Sequence, residues 1–120
     1  MKTKILVADD DPAILDAIKM MLEFCDYDVD TIDDGAVIKI LRQKKPKLLL
    51  LDIWMSGIDG RDICKKLKGL KETRDIPVIL ISASRDIERS SREAGANDFI
   101  AKPFEMNELL TKIEKYVPTN

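Results

Sequence analysis

Short apolar segments alternate with amphipathic segments along the chain. The apolar segments cover residues 5–8, 29–32, 48–51, 78–81 and 99–101, and the second of these is the least apolar. Segments that are apolar without interruption are typical of strands covered on both faces, as in a parallel sheet. The pattern therefore predicts five strands. The leucine run at 48–51 is assigned to a strand because it is short and lies between Pro46 and Gly57.

Between these segments, apolar residues recur at steps of three and four positions, which is the period of an amphipathic helix. The two clearest examples are Ile14, Leu15, Ile18, Met21 and Leu22 near the start, and Leu109, Leu110, Ile113 and Val117 near the end. Asp11 followed by Pro12 predicts an N-cap and a first helical residue, and Gly95 predicts a helix end. The alternation of strands and helices predicts a doubly wound, three-layer α/β/α fold.

Composition narrows the classes of function. The 120 residues carry 20 Lys plus Arg against 22 Asp plus Glu, and there is no histidine. A net charge of −2, with neither a basic patch nor a helix-turn-helix module expected, argues against direct binding to nucleic acid or to an anionic membrane. Cys25 and Cys64 lack metal-site spacing, and no segment resembles a signal peptide or a membrane span. We therefore expect a cytoplasmic protein with reduced thiols.

Polar side chains follow four of the five predicted strands at the point where each strand ends. They are Asp9, Asp10 and Asp11 after the first strand, Asp52 after the third, Ser82 after the fourth and Lys102 after the fifth. The carboxyl ends of parallel strands meet at one edge of a sheet, where ligands of such folds bind. Asp11 is interpreted as a helix cap, and each of the others has an ordinary loop or capping role when taken alone. It is their convergence on one edge that predicts a site.

Such a group of carboxylates requires positive charge. Two carboxylates at about 4 Å repel by roughly 4 kcal/mol at an effective dielectric constant near 20. In the absence of histidine, the donors are oxygens, which suit Mg²⁺, and this ion commonly shares its ligands with a phosphate. Lys102 and Ser82 supply an ammonium and a hydroxyl for phosphate oxygens. Asp52 is then placed as a nucleophile toward phosphorus.

Four motifs in this order resemble the receiver domains of two-component response regulators. They are ILVADDDP, LLLLDIWMSGIDG, PVILISAS and GANDFIAKPF, and the resemblance covers essentially the whole chain. It implies a flavodoxin-like sheet with strand order 2-1-3-4-5. It also implies that residues 1–120 form one receiver domain, with no output domain in this chain.

Individual roles follow from the resemblance. Asp9 and Asp10 would be the metal-binding acids, Asp52 the phosphorylated residue, and Trp54 the donor of a backbone carbonyl to Mg²⁺. Lys102 would bind phosphate, with a cis peptide before Pro103. Ser82 would be the switch hydroxyl and Phe99 the aromatic switch. Three residues would border the phosphoryl group: Trp54, Ala83 and Ser84.

The chain also departs from the family pattern. Ser56 stands where members usually have proline, which predicts a less constrained loop. Trp54 is large and Ser84 is small. In the family these two positions border the phosphoryl group and tune its hydrolysis, so the lifetime of the phosphorylated state is the property affected. Phe99 lacks a hydroxyl, so a switch at this position would work by burial alone. Residues 84–96 contain few large apolar side chains, which predicts a weakly anchored fourth helix.

The resemblance implies a phosphorylation-activated switch rather than an enzyme that turns over a substrate. A sensor histidine kinase or histidine phosphotransfer protein would dock near the acceptor edge and the first helix, and would phosphorylate Asp52. The phosphorylation state would be relayed to an unidentified effector through the surface of the fourth helix, fifth strand and fifth helix. Family members commonly form homodimers through this surface. The alternatives are a docking module without phosphoryl turnover and an Mg²⁺-dependent aspartyl-phosphate phosphatase. The latter would need a DxDxT motif where this chain has DDDPA.

Overall fold

A central parallel sheet organises the fold. The computed structural model describes residues 2–117, so the predicted domain of residues 1–120 extends beyond the described residues at both ends. In chain order the elements are β1 (Lys4–Ala8), α1 (Pro12–Phe24), β2 (Asp28–Ile32), α2 (Val37–Lys44), β3 (Leu48–Asp52), β4 (Trp54–Met55), β5 (Ile58–Asp59), α3 (Gly60–Lys68), β6 (Val78–Ser82), α4 (Ile87–Ala94), β7 (Asp98–Ala101) and α5 (Met106–Tyr116).

The five predicted strands form one sheet in the order β2-β1-β3-β6-β7, and every neighbouring pair is parallel. Since β4 and β5 form a separate two-stranded hairpin, this order is the predicted 2-1-3-4-5. The doubly wound α/β fold is therefore confirmed. The short hairpin was not predicted, because two-residue strands leave no apolar run in the sequence.

The leucines of β3 show why its sequence is continuously apolar. Leu48 and Leu50 pack in one cluster with residues of α1 and α5, whereas Leu49 and Leu51 pack in a second cluster with residues of α2, α3 and α4. All four leucines are fully buried. Successive side chains of a strand point to opposite faces, so where helices cover a strand on both sides every side chain lies in an apolar environment.

The predicted helix ends are also confirmed. The Asp11 carboxylate accepts hydrogen bonds from the backbone N–H groups of Ala13 and Ile14, and Pro12 is the first residue of α1. Gly95 ends α4 in the left-handed conformation at φ 81°. Cys25 and Cys64 are free thiols, as expected. Among residues 2–117, no helix combines the length and hydropathy needed to cross a membrane.

Charge is less evenly distributed than composition suggests. Lys44 and Lys45 lie at the end of α2, and Lys65 and Lys66 lie in the last turn of the adjacent α3. Helices that connect parallel strands run back along the sheet, so these ends lie at the edge opposite the acidic residues. Cations at helix C-termini offset the helix dipole, which accounts for them without a ligand.

Candidate functional site

Three carboxylates meet at the carboxyl edge of the sheet. Asp9 follows the last residue of β1, Asp10 is next in the chain, and Asp52 ends β3, which pairs directly with β1. One carboxylate oxygen from each residue lies within 4.8 Å of the other two. Asp9 and Asp52 are buried, whereas Asp10 is exposed. The predicted convergence of the three acids is thus present in the structure.

Lys102 completes this group from the neighbouring part of the edge. It follows β7, and its Nζ lies 3.2 Å from Asp9 Oδ2 and 3.4 Å from Asp52 Oδ2. Its backbone N–H donates to the carbonyl of Ser82, which fixes the start of the loop. The Lys102–Pro103 peptide is cis, as predicted. A single ammonium therefore bridges two buried carboxylates that come from different strands.

This arrangement leaves the site short of positive charge. Burial, followed by the neighbouring charge of Asp9, raises the pKa of Asp52 from 3.8 to about 6, although Lys102 opposes the shift. Burial works against the charge of Lys102, but Asp52 and Asp9 outweigh it and raise the Lys102 pKa. One amine thus compensates only in part for two buried carboxylates. A hard divalent cation would supply the missing charge.

The donor set fits such a cation. Carboxylate oxygens are the ligands that Mg²⁺ prefers, and the three acids place their oxygens close enough to share one ion. Asp9, Asp10 and Asp52 would hold it. The fourth predicted contributor, Trp54, begins β4 and is separated from Asp52 by one residue. Trp54 is 57% exposed, and the guanidinium of Arg61 lies 5.4 Å from the centroid of its ring.

The predicted hydroxyl lies one strand away from Asp52. Ser82 is the last residue of β6, which pairs with β3, and the side chain is buried. Its Oγ accepts a hydrogen bond from the backbone N–H of Ser84, at 3.0 Å. Ser84 itself is exposed and donates its hydroxyl to Asp86, and Ala83 is exposed at the rim of a groove. The loop after β6 is therefore held partly by the Ser82 hydroxyl.

Phe99 lies outside this group of side chains. It pairs with Leu80 in the middle of the sheet edge strand β7 and is half-buried against the cluster that contains α3 and α4. The ammonium of Lys112, from α5, lies 4.8 Å from the centroid of the ring. Phe99 is thus placed between the site-bearing sheet and the outer surface of α4 and α5.

Asp11 gives a test that separates capping from metal binding. Its carboxylate accepts the N–H of Ala13 at 3.0 Å, and it is not one of the three clustered acids. We expect Asp11→Ala to lower the free energy of unfolding by about 1 kcal/mol, the usual cost of losing an N-cap. Urea denaturation measures this loss, and a magnesium titration of the same variant should be unchanged. A large loss of magnesium affinity would contradict the capping role.

The structure adds contacts that the sequence pattern did not indicate. Ser56 donates its backbone N–H to Asp10 Oδ2 and its hydroxyl to the carbonyl of Asp33, both at 2.9 Å. The expected loose loop is therefore replaced by a paired hairpin with two anchors. Gly60 is a second missed residue, because it packs directly against the backbone of Asp52. The only local signal for the hairpin was the turn-forming Ser56-Gly57 pair.

Comparison with known proteins gives a consistent picture. The family described as the response regulator receiver domain matches residues 5–114. The chain is 36% identical over 113 residues to the DNA-binding dual master transcriptional regulator RpaA of Synechocystis sp., an alignment covering 92% of this chain and 47% of the relative. The chain spans about half the length of the curated relatives it matches.

Solved structures agree on the fold. A response regulator receiver domain protein of Methanospirillum hungatei superposes with a TM-score of 0.86 at 30% identity, covering 96% of this chain and 93% of that one. The receiver domain of a Pseudomonas aeruginosa sensor histidine kinase gives a TM-score of 0.88 at 24% identity, covering 99% and 100%. That second protein carries a magnesium ion in its active site cleft.

Proposed function

The chain belongs to the response regulator receiver domain family, and from this we propose that it is a phosphorylation-activated switch whose acceptor is Asp52. Members of the family are phosphoacceptors rather than classical enzymes. The observation that supports the proposal most directly is the group of three carboxylates with Lys102 at one sheet edge. Asp52 is the member that lies at the end of the central strand β3, and it shares the Lys102 ammonium with Asp9.

The transfer step uses residues already in place. A carboxylate oxygen of Asp52 attacks the phosphorus of a phosphohistidine, the P–N bond breaks, and the imidazole leaves with its electron pair. The Lys102 ammonium, beside Asp52 Oδ2, is positioned to hold an oxygen of the transferred group. The Ser82 hydroxyl can turn from its present acceptor role toward another oxygen. When bound by Asp9, Asp10, Asp52 and the Trp54 carbonyl, Mg²⁺ would offset the charge of the phosphoryl oxygens.

The output of the switch follows from the change in charge. Phosphorylation replaces one negative charge with roughly two and adds strong hydrogen-bond acceptors. The Ser82 hydroxyl now accepts a hydrogen bond from the Ser84 N–H. When the hydroxyl moves to the phosphoryl group, this bond is broken and the loop that leads into α4 is freed. Phe99, already half-buried beside α4, can then pack further inward. We propose that this alters the surface of α4, β7 and α5.

The anchoring of α4 suits such a change. Its buried positions are Ile87, Ser90, Ser91 and Ala94, of which only Ile87 is large and apolar. Among the described residues, the buried hydroxyl of Ser91 has no hydrogen-bond partner. A helix with little apolar burial costs less to displace than one held by several large side chains. A modest gain of contacts elsewhere is therefore sufficient to shift its position.

The partner that donates the phosphoryl group is proposed to be a sensor histidine kinase or a histidine phosphotransfer protein. A groove of about 420 Å³, lined mainly by apolar residues of α1 and the loop before α5, opens beside Lys102. Along α1, Met20 is 72% and Phe24 is 92% exposed, which continues an apolar surface away from the acceptor. We propose that the donor lies along α1, that the chain acts in the cytoplasm, and that this chain itself does not bind nucleic acid. A downstream effector and homodimerisation on phosphorylation complete the proposal.

Radiolabelling with acetyl phosphate tests the acceptor without needing the natural donor. With Mg²⁺ present, wild-type protein should incorporate label, and Asp52→Asn should remain at background because its amide is not a nucleophile. Asp16→Asn, which alters an exposed carboxylate on α1, is the matched control and should label normally. EDTA should abolish labelling of the wild type.

Two outcomes would contradict the proposal. Equal labelling of Asp52→Asn and wild type would move the acceptor to another residue. A wild type that binds Mg²⁺ but takes label neither from acetyl phosphate nor from phosphoramidate would favour the docking module without turnover.

A further inference from the structure

The loop after the acceptor strand has a backbone conformation that is unusual for its sequence. Trp54 pairs with Asp59 and Met55 pairs with Ile58, so Ser56 and Gly57 form a two-residue hairpin loop. Their φ angles are 52° and 76°. Two-residue loops of type I′ need positive φ at both central residues. Glycine adopts this region freely, but serine rarely does, so contacts elsewhere must hold Ser56 in place.

Two hydrogen bonds do so, and both leave the hairpin. The N–H of Ser56 donates to Asp10 Oδ2 at 2.9 Å, across 46 residues of sequence. The hydroxyl donates to the carbonyl of Asp33 at 2.9 Å, across 23 residues. The positive φ of Ser56 is therefore coupled to the direction in which its N–H points, which is toward one of the three clustered acids.

Asp10 is the acid that needs such a contact. Asp9 and Asp52 are buried and bridged by Lys102, so their carboxylates are held by packing and charge. Asp10 is exposed, and burial does not restrict its rotamer. A hydrogen bond to one oxygen of a carboxylate ligand orients the other oxygen, and such supporting contacts commonly change metal affinity by about 10–100-fold.

We propose that Ser56 is a positioning residue for the magnesium site, acting through its backbone N–H on the carboxylate of Asp10. The inference rests on the proposed function, because it assumes that the three acids hold Mg²⁺. It goes beyond that function in assigning to the hairpin a role in orienting one of the metal-binding acids. Proline has no N–H, and its ring holds φ near −65°. A proline at position 56 could not make this contact with Asp10.

Substitutions at Ser56 separate the N–H from the hydroxyl. Ser56→Pro removes the N–H and cannot adopt the observed φ. Ser56→Gly keeps the N–H and tolerates the φ but loses the hydroxyl, and Ser56→Ala also keeps the N–H and loses the hydroxyl. Magnesium affinity can be followed by the fluorescence of Trp54, the chain's single tryptophan. We expect Ser56→Pro to raise the Mg²⁺ dissociation constant about tenfold or more. Ser56→Gly and Ser56→Ala should stay within about threefold of wild type, since both retain the N–H.

A double-mutant cycle with Asp10→Ala, which leaves no acceptor for the Ser56 N–H, shows whether Ser56 acts through this acid or only through loop structure. If Ser56 positions the Asp10 carboxylate, the effect of Ser56→Pro on magnesium affinity should shrink to about threefold or less in the Asp10→Ala background. An undiminished effect there would overturn the inference. So would a Ser56→Pro variant with wild-type affinity, or equal losses in the proline and glycine variants.

The failure of this inference is distinguishable from that of the proposed function. A wild-type protein that shows no magnesium binding would overturn both. Wild-type binding and labelling, with an unchanged Ser56→Pro variant, would overturn only the role of Ser56.

Discussion

Gly60→Ala is expected to destabilise the protein by about 3 kcal/mol, at the upper end of the usual cost of overpacking. A Cβ built on Gly60 lies 2.4 Å from the backbone oxygen of Asp52 and 3.0 Å from the Cα of Ile53. Neither atom belongs to a flexible side chain, so relief requires the backbone of β3 or the start of α3 to move. Because the displaced segment carries Asp52, one of the three clustered acids, magnesium binding should weaken together with stability.

Urea denaturation of the magnesium-free protein measures the first effect. Gly69→Ala is the matched control, since a Cβ there meets its nearest atom at 3.5 Å and the residue has α-helical φ and ψ. We expect that control to stay within about 0.5 kcal/mol of wild type. A Gly60→Ala variant that unfolds at the wild-type urea concentration would show that the backbone contact is easily relieved.

Asp52→Asn is expected to stabilise the magnesium-free protein at pH 7 by about 3 kcal/mol. Burial and the charge of Asp9 raise the pKa of Asp52 from 3.8 to about 6, so ionising this carboxyl costs more in the folded state than in the unfolded state. Each unit of pKa corresponds to about 1.4 kcal/mol. The asparagine side chain has nearly the same shape and cannot ionise, so the cost is removed.

The pH dependence has a definite sign. Above pH 6 the carboxyl is ionised in both states and the cost is complete, whereas below about pH 4 it is protonated in both and the cost vanishes. The contribution of Asp52 to wild-type stability therefore improves as the pH falls from 7 to 4. The advantage of Asp52→Asn should disappear over the same range.

Thermal and urea unfolding at pH 7 and pH 4.5, in EDTA, measure this difference, with Asp16→Asn as the exposed control. Adding Mg²⁺ at pH 7 should stabilise the wild type more than Asp52→Asn, because the ion binds the folded state and loses one ligand in the variant. An Asp52→Asn protein less stable than wild type at pH 7 without metal would contradict the account of the site as short of positive charge.

The strands and the principal site side chains were predictable because their signals are local. The uninterrupted apolar runs at 48–51 and 78–81 reflect burial on both faces, which is the same for every residue of a central strand. In a parallel sheet all strands end at one edge, so the residues after them converge whatever the details of packing. Asp9, Asp52 and Lys102 were placed together on this basis alone.

The periodicity of α1 predicted its buried face, including Leu15, Ile18 and Leu22. It did not predict that Met20 and Phe24 are exposed, because both side chains would suit a buried position on a helix equally well. Their exposure depends on where α5 packs against α1, which is a property of the assembled layers. The lysines at the ends of α2 and α3 come to one edge in the same way, from two segments that are separate in sequence.

Local pattern determined the order of elements in this protein, the sheet edge that carries its acids, and the end of α1 capped by Asp11. Periodicity and capping depend on residues within a few positions of one another. Only the tertiary structure decided the left-handed conformation of Ser56, the close packing of Gly60 on Asp52, and the charge balance that raises the pKa of Asp52. Each of these depends on partners from other segments, whose distance and direction no local pattern encodes.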